Sequence, residues 1–263
     1  MKKTLIVANW KMNLTTHEAS VLVHRLHQTV QTHRSVEVVL APNIMVLQPL
    51  SVEIDRHRFG LAAQNAHYKD TGAYTGEVSF NMLRDLVRYA IVGHSERRIY
   101  FNETLEVVRD KVAASVRNGI TPILCIGETK QERTDGETKQ VIHDQLVTAL
   151  FRLTGEDVAT TVIAYEPVWA ISTFGGEIAK PDDIKKTLLY IRAQIADLYG
   201  GRVAEDIRIL YGGSVDYATA SAYLQLDGCD GVLVGSASLN YQKFSAIVDT
   251  AYRLRHEQGD QHG

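Results

Sequence analysis

Eight short, almost uninterrupted apolar runs, separated by stretches of helical periodicity, constrain this chain more than any other feature of its sequence. The runs lie at 5–8, 36–41, 59–64, 89–93, 121–127, 160–165, 207–211 and 231–234. Hydrophobicity that is continuous instead of alternating marks strands buried on both faces, as in a parallel sheet covered by helices. The intervening segments carry the other period. Leu105, Val108, Val112 and Val116 step by three and four residues, as do Ile184, Leu188, Ile191, Ile195 and Leu198. Each set makes one apolar stripe that packs on a sheet. Pro181 and Asp182 open the second of these helices and Gly200-Gly201 close it, while Asn118-Gly119 close the first. An open, doubly wound sheet would alternate in the same way. Eight units of about 33 residues favour closure into a (β/α)8 barrel, eight parallel strands surrounded by helices.

No linker or shift of composition divides the 263 residues, so they read as one barrel domain, 1–263. The end, 257–263, has lost the apolar stripe and is expected to fray as a polar tail. A chain of this length buries roughly 75% of its unfolded surface and needs no staple. Cys125 and Cys229 could not supply a disulfide framework, and no CxxC or zinc spacing of Cys and His occurs. With 28 basic against 31 acidic residues the net charge is -3, which excludes bulk electrostatic capture of nucleic acid or an acidic membrane as the main activity. The uncharged stretch behind Lys2 and Lys3 is too short for a signal peptide, and no run approaches the roughly 20 apolar residues of a membrane helix. The expectation is a cytoplasmic protein with neither a nucleic-acid nor a membrane partner.

In a parallel barrel, chemistry gathers where strands end and the following loops begin. The first run is followed by Asn9 and Lys11, the fourth by His94, Ser95 and Glu96, and the sixth by Glu166. Gly212, Gly213 and Ser214 follow the seventh; Gly235 and Ser236 follow the eighth. Singly, each has an ordinary explanation. A lysine is usually a solvated charge, a strand-end histidine a satisfied structural residue, and Gly-Gly a turn; Pro167 simply keeps Glu166 extended. Closure of the barrel, however, brings all five strand ends to one face. There the glycine-rich turns offer a concavity of backbone N–H groups suited to phosphate, and Ser214 and Ser236 add hydroxyls. Lys11 supplies a compact positive charge for the anion or for a developing oxyanion. Glu166 could remove a proton if a dry pocket makes it a better base than a solvated carboxylate is. His94 opens a helix, whose dipole disfavours an imidazolium, and a neutral ring donates to a carbonyl. Together the set describes proton abstraction beside a carbonyl on a small phosphorylated sugar, without a cofactor. The ten histidines include no paired spacing suited to a metal, so none is expected.

The segments ANWKMN (8–13), AYTGEVS (73–79), VGHSERR (92–98), FNET (101–104), CIGE (125–128), AYEPVWAI (164–171), YGGSV (211–215) and GVLVGSASL (231–239) closely resemble the triosephosphate isomerase family, in the family's order. The resemblance implies a TIM barrel that interconverts dihydroxyacetone phosphate and D-glyceraldehyde 3-phosphate through an enediolate. It implies that Glu166 moves the proton between two carbons, that His94 polarises the carbonyl, and that Lys11 stabilises the enediolate and helps hold substrate. Asn9 would position the substrate oxygens, and Glu96 would orient the lysine and histidine region. Gly212, Gly213, Gly235 and Ser236 match the family's phosphate cradle, with Ser214 on the same turn. The stretch 65–79 resembles the family's long interdigitating loop. Tyr74 and Thr75 at its tip would plug into a partner subunit beside its Asn9, Lys11 and His94, with Gln64 and Asn65 beneath. That implies a homodimer.

One segment departs from the family, whose pattern is PVWAIGTG, a short hinge and a proline. Here it reads PVWAISTFGGEIAKP (167–181). Ser172 stands where the family has a glycine whose N–H grips the phosphate, and aligning the prolines implies two extra residues, Phe174 and Gly175. A serine still presents its N–H wherever positive φ is not required. Tyr211 and Ser214, the family's usual latch partners on the facing loop, are both present, which favours ordinary closure. The altered lid at 171–180 also leaves open an isomerase of the same mechanism for a four-carbon ketose phosphate. A barrel that has lost catalysis and only binds is argued against by the joint presence of Asn9, Lys11, His94 and Glu166. Cys125 reads as packing, and Arg97-Arg98 as ion pairs with the acidic stretch behind them in place of a phosphate clamp.

Overall fold

The computed structural model describes residues 2–31 and 33–260. Eight parallel strands close into one barrel, each paired with its neighbours in sequence and the eighth with the first. They are β1 (Thr4–Asn9), β2 (Val36–Ala41), β3 (Phe59–Ala63), β4 (Tyr89–Val92), β5 (Thr121–Ile126), β6 (Val162–Tyr165), β7 (Arg208–Tyr211) and β8 (Gly231–Val234). The architecture is the expected (β/α)8 barrel. β6 begins later than its composition suggests, because Thr160 ends the short helix Gly155–Thr160 and Thr161 caps it.

The continuous hydrophobicity has a two-sided cause. Alternate strand residues such as Leu5, Val7, Val39, Tyr89, Ile91, Ile123 and Leu210 fill the barrel interior. Their neighbours Ile6, Val38, Leu40, Val92, Leu124 and Ile163 face the helices instead. Helix Leu105–Arg117 buries Val108 and Val112 on that outer layer, and Pro181–Tyr199 buries Ile184, Leu188, Ile191 and Ile195. Burying one such side chain fully stabilises by about 1.5–3 kcal/mol. Leu198 lies beyond the edge of its stripe and is exposed. Gly119 and Gly200, at φ 71° and 93°, terminate the two helices in the left-handed region. At the β1–β8 seam only glycine fits: Gly231 has φ 151°, and a β-carbon there would stand 1.9 Å from the Leu5 carbonyl oxygen.

The N-terminal mouth of the barrel is plugged by a polar cluster. Arg208 donates to Glu37 at 2.8 Å, the Tyr89 hydroxyl donates to the same carboxylate at 2.8 Å, and Arg208 also reaches the Tyr89 oxygen at 2.8 Å. Burial pushes the Glu37 carboxyl up, but these donors outweigh it and hold it below its ordinary value. The last helix runs Tyr241–Asp260, so 257–260 of the expected polar tail continue it, and 261–263 lie outside the described residues. No helix among the described residues is long and apolar enough to cross a membrane.

Candidate active site

Asn9 is the last residue of β1, and its side-chain oxygen accepts the Lys11 backbone N–H at 3.1 Å. Lys11 has φ 52°, a left-handed conformation that costs a non-glycine residue about 1–2 kcal/mol. The turn is held from the other side by Gln64, whose amide donates to the carbonyls of Lys11 and Ala41, both at 2.8 Å. Gln64, expected under a subunit contact, therefore braces the lysine of its own chain. The braced turn aims Lys11 Nζ at Glu96 Oε1, 2.6 Å away. Burial pushes the Glu96 carboxyl up, yet its neighbours, Lys11 first among them, hold it below its ordinary value.

His94 follows β4 and caps the helix Ser95–Tyr100, its Nδ1 accepting the Glu96 backbone N–H at 3.2 Å. A ring nitrogen that accepts carries no proton, so this bond assigns the proton to Nε2. Nε2 faces Glu166 Oε1 at 3.3 Å. Glu166 is 2% exposed, and its Oε2 has no hydrogen-bond partner in the protein. Two glycines make room for it. A β-carbon on Gly212 would stand 2.7 Å from Glu166 Cγ, and one on Gly127 would stand 2.0 Å from the Glu166 carbonyl oxygen.

Lys11, His94, Glu166, Asn9, Ser172, Gly212, Gly213, Ser214, Gly235 and Ser236 line one cavity of about 270 Å³. Glu96 stands behind Lys11, on a neighbouring hollow of about 360 Å³ that also takes in Asn9, Gln64 and Asn65. Within the glycine-rich turn, two amides are spent on the protein. Gly212 N–H donates to the Tyr165 carbonyl at 2.8 Å, and Ser214 donates to the Ala170 carbonyl through N–H at 3.0 Å and hydroxyl at 2.7 Å. Of the two latch residues, Ser214 thus engages the lid base. The Tyr211 hydroxyl is buried without a hydrogen-bond partner under Gly213, its ring tilted against that of Tyr223 with centroids 4.2 Å apart.

The lid folds as two short 3-10 turns, Val168–Ala170 and Ser172–Phe174. Ser172 is not among the residues with positive φ, so its side chain imposes no backbone strain. The base of the lid is pinned by Glu128, fully buried, which accepts from Trp169 Nε1 at 2.9 Å and from the Tyr165 hydroxyl at 3.1 Å. Burial pushes the Glu128 carboxyl up in spite of those donors. At the tip, the Thr173 hydroxyl donates to Glu96 at 3.2 Å and accepts from Lys11 Nζ at 3.3 Å. Phe174 packs its ring 5.6 Å from that of Tyr100. Neither Glu128 nor Thr173 stands out in the sequence. Glu128 could have been found as the carboxylate closing CIGE just upstream of the lid; the contact of Thr173 has no local signal.

Four further expectations find their places. Arg97 pairs with Glu103, which also binds Lys111, and Lys111 donates to Asn65 at 2.7 Å. Arg98 makes no such pair: it donates to the carbonyls of Gly93 at 2.7 Å and Cys125 at 3.0 Å, bracing β4 against β5. The expectation of ion pairs therefore holds for Arg97 and is corrected for Arg98, whose burial between two strand ends leaves it only backbone acceptors. Cys125 is buried inside the barrel, where burial and the neighbouring Glu166 push its thiol well up, leaving it unreactive. In the loop 65–79, Tyr74 is 43% exposed with its ring 4.2 Å from that of His67, and Thr75 is exposed beside it.

The triosephosphate isomerase family profile matches residues 4–251. Similar proteins, each named triosephosphate isomerase, include one from Clostridium botulinum, 42% identical over 250 residues that make up 95% of this chain and 100% of that one. Another, from Carboxydothermus hydrogenoformans, is 42% identical over 94% of this chain and 98% of its own. A third, from Alkaliphilus oremlandii, is 42% identical over 95% of this chain and 100% of its own.

Proposed function

The chain belongs to the triosephosphate isomerase family and is an aldose–ketose isomerase, and from that premise we propose that it interconverts dihydroxyacetone phosphate and D-glyceraldehyde 3-phosphate with Glu166 as the base. The observation that carries this reading is the juxtaposition of Glu166 Oε1 and His94 Nε2 at 3.3 Å on the cavity that Lys11 also lines. The substrate phosphate is assigned to the amides of Ser172, Gly213, Gly235 and Ser236, since Gly212 and Ser214 are already engaged. The carbonyl oxygen lies toward His94 and Lys11. Glu166 takes a proton from the carbon bearing the hydroxyl, and the electron pair enters a carbon–carbon double bond as the carbonyl oxygen becomes an oxyanion. Lys11 and the His94 N–H stabilise that charge as it develops, which lowers the barrier because both are held in place beforehand. His94 then passes a proton between the two enediolate oxygens. Glu166 returns its proton to the neighbouring carbon, so the reaction closes with no external acid or base.

The longer lid does not favour the four-carbon alternative. Ile171, Ser172 and Ile178 are the lid residues on the cavity, whereas Phe174 and Gly175 lie outside it, Phe174 against Tyr100. The extra length extends the lid across the barrel mouth instead of enlarging the pocket. A coupled assay with triose and tetrose phosphates side by side should give a kcat/KM at least about 10-fold higher for the triose, the usual worth of one carbon in a fitted pocket. Equal or better turnover of the tetrose would replace the leading reading with the alternative.

We further propose a homodimer in which Tyr74 and Thr75 of one subunit enter the 360 Å³ hollow of the other, beside Asn9, Lys11 and His94. The hollow has an apolar rim: Met12, Ile44 and Phe101 line it and are 95%, 48% and 63% exposed, more than an isolated surface tolerates well. Sedimentation at micromolar concentration should give a dimer for the natural chain and a monomer of much lower kcat for Thr75→Arg. A fully active natural monomer would refute the arrangement.

A further inference from the structure

A second hollow lies away from the catalytic face. It has a volume of about 530 Å³ and opens beside the N-terminal ends of β2 and β3, at the opposite mouth of the barrel. Five cations line it, Lys3, Arg34, Arg56, Arg58 and Arg88, against the single carboxylate Glu37. That carboxylate is already claimed by Arg208 on Oε2 and the Tyr89 hydroxyl on Oε1, and Arg88 shares Oε1 at 3.1 Å. Among the described residues, Lys3, Arg34, Arg56 and Arg58 have no carboxylate partner. Arg56 reaches only the Ser51 carbonyl, at 3.3 Å, and Arg58 reaches the Val30 carbonyl, the His27 Nδ1 and, at 5.7 Å, the face of the Phe59 ring. The Arg58 Nε is buried without any hydrogen-bond partner.

Such a concentration of positive charge is unexpected on a chain whose net charge is -3. Like charges around one concavity repel, and an anion placed there relieves the repulsion while satisfying the guanidinium donors. We propose that this hollow is a binding site for a small polyanion of the polyphosphate class. Guanidinium groups suit that class because each presents a planar fork that matches two phosphate oxygens. The volume lies within the range of small-molecule sites and is about twice that of the catalytic cavity, too large for one phosphate and adequate for a chain of two or three. The floor is apolar, with Phe59, Leu61 and Val248 buried beneath the cations. A ring carried on the phosphate chain would find a surface there.

The test is calorimetric titration of tripolyphosphate, and separately of a nucleoside triphosphate, into the full chain with its catalytic cavity saturated by 2-phosphoglycolate. Arg34→Ser/Arg56→Ser is titrated in parallel; both positions are exposed and remote from the catalytic residues. One tripolyphosphate should bind per chain, at least 10-fold more weakly in the double variant, whose kcat on triose phosphate stays unchanged. A nucleoside triphosphate that binds more tightly than tripolyphosphate assigns the apolar floor to the base, and equal affinity assigns recognition to the phosphate chain alone. No binding once the catalytic cavity is filled, or equal binding by the natural chain and the double variant, would overturn the site.

Discussion

Glu166→Gln should lower kcat by roughly 10³-fold, within the range that a positioned general base contributes, and leave folding and KM nearly unchanged. The amide is the same size as the carboxylate, so it keeps the packing against the space left by Gly212 and Gly127. It cannot take a proton, however, and the buried oxygen that now lacks any donor becomes an N–H2 or a weakly basic carbonyl. Glu166→Asp tests position instead of chemistry. It keeps the carboxylate but withdraws it by one methylene, a displacement of about 1 Å that costs on the order of 10²-fold. Steady-state rates in both directions give the magnitudes. Deuterium wash-in from heavy water assigns the step: the natural chain should exchange a substrate carbon-bound hydrogen with solvent, and Glu166→Gln should not. A Glu166→Gln protein that turns over and exchanges like the natural chain would remove this residue as the base and the proposed reaction path with it.

The sequence is most informative where two independent constraints act on the same residues. A strand of this barrel is buried on both faces, so its composition alone announces it, as with Val36–Ala41 and Tyr89–Val92. Where only one constraint acts the boundary slips, as at Thr160, a β-prone residue drawn into a helical turn. The site residues are legible for a related reason: a closed parallel barrel must gather its strand ends, and polar groups there have no packing role to explain them. What escapes the sequence are contacts between loops distant in the chain. Thr173 touches Lys11 and Glu96 only because the lid folds down over the mouth, and Gln64 braces Lys11 only because β3 ends beside the turn after β1. Arg98 shows the same limit from the other side. Acidic neighbours in sequence suggested an ion pair, but the helix turns its side chain inward to strand-end carbonyls.

Lys11 joins these distant parts, and Lys11→Met is the most severe way to separate them. The variant should lose roughly 10²–10³-fold in kcat/KM, the loss that follows removal of one preorganised donor to a developing oxyanion. It also strands Glu96. In the natural chain burial pushes that carboxyl up and its neighbours, the ammonium first among them, more than offset it, so the folded-state pKa lies below the ordinary value. A depressed carboxyl stabilises the fold above its unfolded pKa, and the contribution disappears as pH falls through the folded value. Without Lys11 the largest remaining influence is burial, which acts in the opposite direction. The variant should therefore be less stable than the natural chain by about 1 kcal/mol at neutral pH, in keeping with a charged hydrogen bond that is partly solvated. The deficit should shrink as pH falls through the carboxylate range, since Glu96 takes up its proton earlier in the variant than in the natural chain. Urea denaturation at pH 7, 5 and 4 measures it directly. A deficit of constant size would mean that Lys11 acts through packing of the turn, whose left-handed backbone methionine must also adopt, and not through the charge it holds against Glu96 and Thr173. Lys11→Arg separates the same two causes in kinetics: it keeps the charge and the stability profile, but its planar head replaces the compact ammonium, so kcat/KM should fall while the pH dependence of folding stays that of the natural chain.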